Sequence, residues 1–173
     1  PSVSTPVKPS TTKMSDSRTM LSVERARSLR DAGVHQFNIS LDYLDERHDR
    51  ARGIPGLSAP IFAAVQGMRA AGIDGIRFNT VIKKDNLDQI LPIVRRAQEL
   101  GCGVNLSVYT DSKNGNRDHL VQDLPAERID GLARELLAFK RGKRGVITNS
   151  DYYLGQLPRY VRGEMTEECR SGV

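Results

Sequence analysis

"NISLDYLDERHDRAR", residues 38–52, is the stretch on which the fold turns. It opens as an alternating segment. Phe37, Ile39 and Leu41 fall on one face of a strand running from about residue 36 to 42, and Asn38, Ser40 and Asp42 on the other. It then breaks into a run dense in charge, which reads as a loop. A surface strand alternates in this way for solubility. A strand inside an open barrel does so to hold a polar ligand.

The neighbouring segments frame the choice. Upstream, residues 22–33 have Ser22 as an N-cap, Val23, Ala26 and Leu29 at helical spacing, and Gly33 as a terminator. Downstream, a second helix is expected over residues 58–71, with Ile61, Phe62, Val65 and Met68 as its buried stripe and Pro60 in its first turn. A strand follows over 76–82. A helix over 86–100 buries Leu87, Ile90, Leu91, Val94 and Ala97, and Pro92 should kink it or delay its regular start. A third strand spans 104–109. A fourth helix, about 125–140, carries Ile129, Leu132, Leu136 and Leu137. One helix followed by three β–α units predicts a parallel sheet with helices outside it. Three such units do not close a barrel.

All three strands have a largely polar face. The second presents Arg77, Asn79 and Val81, and the third Asn105, Ser107 and Tyr109. In a sheet covered on both sides, parallel strands read as continuous apolar runs. Here one face meets helices and the other meets something polar. An open or partial barrel with a ligand cavity fits; a solvent-exposed concave face is the plainer alternative. Ligands in such folds bind at the carboxyl ends of strands. Those ends hold Asp42, a hydroxyl acceptor, and Arg52, a fork for carboxylate or phosphate or else a surface partner of Asp45, Glu46 or Asp49. A long loop over residues 109–123 is of a length that suggests function.

The 173-residue length suits one domain with a core, and 38% apolar residues without Trp make that core aliphatic. The formal charge of +5 is spread along the chain without the basic stripe and aromatics of a nucleic-acid binder. There is no apolar run of membrane-spanning length, no secretory signal and no disulfide framework in two distant cysteines, so the cytoplasm is the default. Residues 1–20 are rich in Ser, Thr and Pro and are expected to lie outside the core. The start at Pro1 and the ending "EECRSGV" read as cut ends, so a fragment is expected. His35, His48 and His119 show no metal spacing; His48 reads as structural and His119 as a weak acid–base candidate. Cys102, between two glycines, reads as a core residue.

"FNISLDYLDERHDRARGIPG" (37–56), "IRFNTVIKKDN" (76–86) and "LPIVRRAQELGCGVNLSVY" (91–109) together resemble the second half of the radical SAM core. The resemblance covers about residues 21–109. It implies an α/β fold, a partial (βα) barrel of radical SAM type with parallel strands and its N-terminal half missing. It implies S-adenosylmethionine (AdoMet) and a [4Fe–4S] cluster as cofactors, and a 5′-deoxyadenosyl radical that abstracts hydrogen from a small-molecule or peptide substrate. By the same resemblance Ser40 and Asp42 would hydrogen-bond the cofactor, Arg52 would bind its methionine carboxylate, and Asn79 would point into the barrel. Tyr109 would line the substrate side by its facing. The family's C-x-x-x-C-x-x-C motif is absent; Cys102 and Cys169 do not supply three thiolates.

Residues 146–169, "VITNSDYYLGQLPRYVRGEMTEEC", resemble the linker that precedes an auxiliary-cluster domain of SPASM or twitch type. Cys169 would then be a metal ligand. The expected organisation is a tail over 1–20, the partial barrel over 21–141, and a linker and domain start over 142–173. Two other readings stand beside a fragment of a radical SAM enzyme. One is an aldolase or hydrolase on a β/α barrel, with Lys83 or Lys84 as a Schiff-base lysine. The other is an inactive truncated binding module.

Overall fold

Ser22 starts the first helix as its sequence position predicts, its Oγ accepting the Arg25 N–H at 3.2 Å. The computed structural model describes residues 22–111 and 115–164; the expected tail over residues 1–20 and Cys169 lie outside them. In chain order the elements are α1 (Val23–Asp31), β1 (Phe37–Ser40), α2 (Glu46–Arg52), α3 (Ser58–Ala70), β2 (Ile76–Ile82), α4 (Leu87–Glu99), β3 (Gly103–Val108), a 3-10 turn (Val121–Asp123), α5 (Ala126–Gly142) and α6 (Asp151–Val161).

The three strands lie in the order β1-β2-β3 and both pairings are parallel. Helices α3 and α4 connect them, as parallel strands require a crossover. One face of the sheet is the core side. Phe78, Val104 and Leu106 are buried there, with Val65 and Met68 of α3 and Ile90, Ile93 and Val94 of α4 in the same apolar cluster. Phe62 meets Phe78 edge to face, ring centroids 6.4 Å apart. The result is a partial (βα) fold with one covered sheet face, in line with the expected class.

Two helices depart from the sequence reading. The charged run after β1 is α2, not a loop. Asp45 caps it, accepting the Arg47 N–H at 3.0 Å, and Gly53 ends it at φ 66°, a left-handed conformation that costs glycine little. The second is α6, in the stretch expected to be a linker. Ser150 caps it through the Tyr153 N–H at 3.0 Å, and Leu154, Leu157 and Val161 are buried. Pro158 sits inside it.

The expected boundary at residues 141/142 marks no break in packing, because Ile147, Leu154, Leu157 and Val161 belong to the same apolar cluster as the sheet. Residues 146–149 run beside β3. Val104 N–H donates to Val146 O at 2.7 Å and Thr148 N–H to Val104 O at 2.8 Å. The Asn149 side chain then replaces a peptide unit: its Oδ1 accepts Leu106 N–H at 2.7 Å and its Nδ2 donates to Leu106 O at 2.8 Å.

Candidate functional site at the carboxyl ends of the strands

Strand register sets the site. Ser40 pairs with Asn79 and Asn79 with Asn105, so three polar residues form one row across β1, β2 and β3. In a parallel sheet, residues in register point to the same side. Ser40 and Asn105 are exposed and Asn79 is half-buried. Their side chains bond to no other described residue. Arg77 precedes Asn79 on this face, and Ser107 follows Asn105. The open side of the sheet is thus a polar surface with donors and acceptors available.

Asp42 is placed differently. Strand β1 ends at Ser40, and Asp42 is buried at 4% exposure rather than sharing the open face. Its Oδ1 accepts the Val81 N–H at 2.9 Å, which extends the ladder by a side chain where the strand has stopped. Its Oδ2 accepts from Lys83 Nζ at 3.0 Å and from an Arg52 N–H at 3.3 Å. Three donors occupy the carboxylate, so its partners are internal. The Arg52 side chain, at the last turn of α2, remains 38% exposed, with most of its guanidinium donors free for an anion. Sequence reasoning offered Asp45, Glu46 or Asp49 as its ion-pair partner; the partner is Asp42.

Asn86 is the residue that sequence reasoning passed over. It is fully buried and carries three hydrogen bonds. Its Nδ2 donates to Asp42 O at 3.0 Å and to Val81 O at 2.8 Å, and its Oδ1 accepts the Lys83 N–H at 2.8 Å. One side chain therefore joins the end of β1, the end of β2 and the start of α4. Thr80 adds a bond from its Oγ1 to Leu41 O at 2.7 Å. The Tyr43 hydroxyl donates to Asp85 at 2.8 Å, and burial together with that carboxylate pushes its phenol above the usual range.

His48 is structural, on the buried side of α2, with its Nδ1 accepting the Asp42 N–H at 3.4 Å. Burial, and then the Arg52 charge, lower its pKa. The folded state binds this proton less readily than the unfolded chain. The stability held by neutral His48 is present above the ordinary histidine pKa and is lost as pH falls through the lowered value. Urea midpoints should therefore fall between about pH 7 and pH 5 in the wild type, and His48→Gln should flatten that slope. An equal slope in the variant would assign the dependence to another group.

Tyr109 turns its hydroxyl to Asn116 O at 3.1 Å and its ring edge to His119, centroids 5.4 Å apart, so it ties down the long loop. His119 Nδ1 lies 3.6 Å from Asp85. Cys102 is buried, with burial raising its thiol pKa, as a core residue requires. No group of three or more His, Cys, Asp or Glu that suits a metal exists among the described residues. Two cysteines do not supply the three thiolates of the family's [4Fe–4S] motif, and Cys102 is buried in the core cluster. No helix among the described residues is long and apolar enough to cross a membrane.

No protein-family model matches the chain. Individual relatives do. The AdoMet-dependent heme synthase of Methanosarcina barkeri is 33% identical over 110 residues, which is 63% of this chain and 31% of that protein. The GTP 3′,8-cyclase of a Synechococcus strain is 32% identical over 120 residues, 62% of this chain and 35% of that enzyme. The GTP 3′,8-cyclase of Rhizobium leguminosarum is 33% identical over 141 residues, 79% of this chain and 37% of that enzyme. Both kinds of relative are radical SAM enzymes.

The chain is homologous to radical SAM enzymes. It spans about a third of the length of the curated relatives it matches. A parallel sheet with one open polar face is the part of the structure that such a radical SAM relationship explains.

Proposed function

We propose that this chain forms the AdoMet-facing wall of a radical SAM enzyme. The observation that carries this reading is the register row Ser40–Asn79–Asn105, whose side chains bond to no other described residue, with the half-exposed Arg52 nearby at the same end of the sheet. Ser40 and Asn79 would hydrogen-bond the cofactor, and Arg52 would hold its carboxylate by charge-assisted bonds. Asp42 and Lys83 act beneath them, Asp42 fixing the direction of the Arg52 side chain. In this family AdoMet supplies a carbon radical for hydrogen abstraction. The cluster that drives that step finds no fit in the thiols of this chain, so the residues described here bind and orient.

The substrate in this reading is a small molecule or a peptide, in cofactor or peptide maturation. Relatives named for heme synthesis and for GTP cyclisation support the former. An aldolase reading loses support from Lys83, whose ammonium is engaged by buried Asp42 at 3.0 Å and lies 5.4 Å from the centre of the Tyr43 ring.

Calorimetric titration of the chain with AdoMet tests the assignment. Arg52→Ala should weaken binding about tenfold, which is about 1.4 kcal/mol, and Arg52→Lys should recover part of it. Equal affinity in wild type and Arg52→Ala removes Arg52 from the cofactor site.

A further inference from the structure

Helix α2 carries Arg52 at its last position, yet it has no apolar stripe to seat it; His48 is its buried residue. Three consecutive side chains seat it instead, each on a different element. Arg47 reaches the start of α4, its guanidinium donating to Asp88 at 2.9 Å and to Asp85 O at 3.2 Å. His48 Nδ1 accepts the Asp42 N–H, just past β1, at 3.4 Å. Asp49 reaches the start of α3. Its Oδ1 accepts the Ser58 N–H at 2.9 Å and the Ser58 hydroxyl at 2.6 Å, and its Oδ2 accepts the Gly56 N–H at 2.8 Å.

Successive helix residues point about 100° apart, so these ties span about 200° of the circumference and fix the rotation of α2 about its axis. Arg52 follows Asp49 by three residues and His48 by four, which puts it on their side of the helix. The Asp49 tie is the firmest of the three. It has three donors, one of them a short hydroxyl bond to a carboxylate, whereas the His48 contact is long. The Ser58 hydroxyl also holds the Asp49 carboxyl below its ordinary range, so it is ionised at neutral pH. Its anchor is rigid, because α3 is packed into the core through Ile61, Val65 and Met68. The sequence builds the tie by turning back on itself. Gly53 and Gly56, at φ 66° and 74°, fold the chain so that Ser58 returns beside Asp49.

We infer that Asp49, acting through Ser58, is a positioning residue for Arg52: it holds α2 at the rotation that delivers the guanidinium to the carboxylate of AdoMet. A guanidinium about 6 Å from a helix axis moves about 2 Å when the helix turns by about 20°. That displacement is enough to break a hydrogen bond. The inference rests on the cofactor reading of Arg52.

Calorimetric titration with two ligands tests it. One is AdoMet; the other is decarboxylated AdoMet, which keeps the nucleoside, the sulfonium and the ammonium. Arg52→Ala should weaken the first and spare the second. Asp49→Ala should do the same, weakening AdoMet about 3- to 10-fold, and should add nothing in an Arg52→Ala background. Ser58→Ala removes the hydroxyl bond and leaves both backbone donors, so it tests the tie should Asp49→Ala not fold. It should weaken AdoMet alone, by about 2- to 5-fold. Arg50→Ala, on the exposed side of the same helix, should change neither affinity. An equal loss for both ligands in the Asp49 and Ser58 variants overturns the inference, since the tie would then support the site at large. So does a loss that adds to that of Arg52→Ala, or AdoMet affinity unchanged in both variants. If wild type binds no AdoMet up to about 10 mM, or Arg52→Ala does not distinguish the two ligands, the cofactor reading itself fails and the inference falls with it.

Discussion

Asp42→Ala is expected to destabilise the fold by about 3–5 kcal/mol, read as a drop in the urea midpoint at neutral pH. The carboxylate is 5% exposed and its partner Lys83 is 12% exposed. Removing it leaves an ammonium enclosed without a counter-ion, and that uncompensated charge is the main cost. The Val81 N–H loses its acceptor as well. Arg52, 38% exposed, turns to water and adds little. Asp42→Asn keeps an acceptor for Val81 and should still lose most of the stability, because the charge on Lys83 remains. The pair Asp42→Asn with Lys83→Met should regain much of the loss, since a buried ion pair replaced by groups of similar volume is often close to neutral. A loss below about 1 kcal/mol in Asp42→Ala would mean that Lys83 reaches solvent and that the cluster is a surface ion pair in its energetics.

Asn86→Leu should cost about 2–4 kcal/mol, for a different reason. The side chain is close in size, so little cavity or strain is introduced, yet Asp42 O, Val81 O and Lys83 N–H all lose a buried partner. Each orphaned group carries a desolvation cost that water does not repay at a site with no solvent exposure. Asn86→Asp separates the donors from the acceptor. The introduced carboxylate still accepts from Lys83 N–H but faces two carbonyl oxygens where the amide donated. Its folded pKa should rise, so the folded state binds the extra proton. The defect in Asn86→Asp should therefore shrink as pH is lowered and deepen as pH rises through the raised value. Thermal unfolding at several pH values reads both parts. A pH-independent defect would place the introduced group in solvent.

The sheet and its helices were legible because each βα unit repeats the same signals. Ile90, Val94 and Ala97 at helical spacing, and Phe78, Val104 and Leu106 at period two, allow little else. Helix α2 escaped because it has almost no apolar stripe: His48 is its buried residue and the others are mostly charged. Its signs were the flanking ones, Asp45 as cap and Gly53 as stop. Helix α6 escaped because the stretch was read by its likeness to a linker, although Leu154, Leu157 and Val161 are spaced correctly for a buried stripe.

Within the site, alternation placed Ser40, Asn79 and Asn105 on one open face, and register lines them up. The same alternation carried Asp42 onto that face. It failed there because the strand stops two residues earlier and the chain turns inward. Burial of Asn86 and Lys83 follows from how three chain segments converge, which no window along one segment contains.

Asn149 has a consequence for which substitutions its position can accept. Its amide stands in for one peptide unit, giving Leu106 both a donor and an acceptor while the backbone already departs toward α6. Asp would offer two acceptors and leave Leu106 O unmatched; Ala would leave both groups bare; Gln has the right chemistry on a stem one methylene too long. The position is thus nearly monomorphic on chemical grounds. Tyr152 and Tyr153 follow three and four residues later, so the reach of the Asn149 side chain helps set how close the start of α6 stands to the strand.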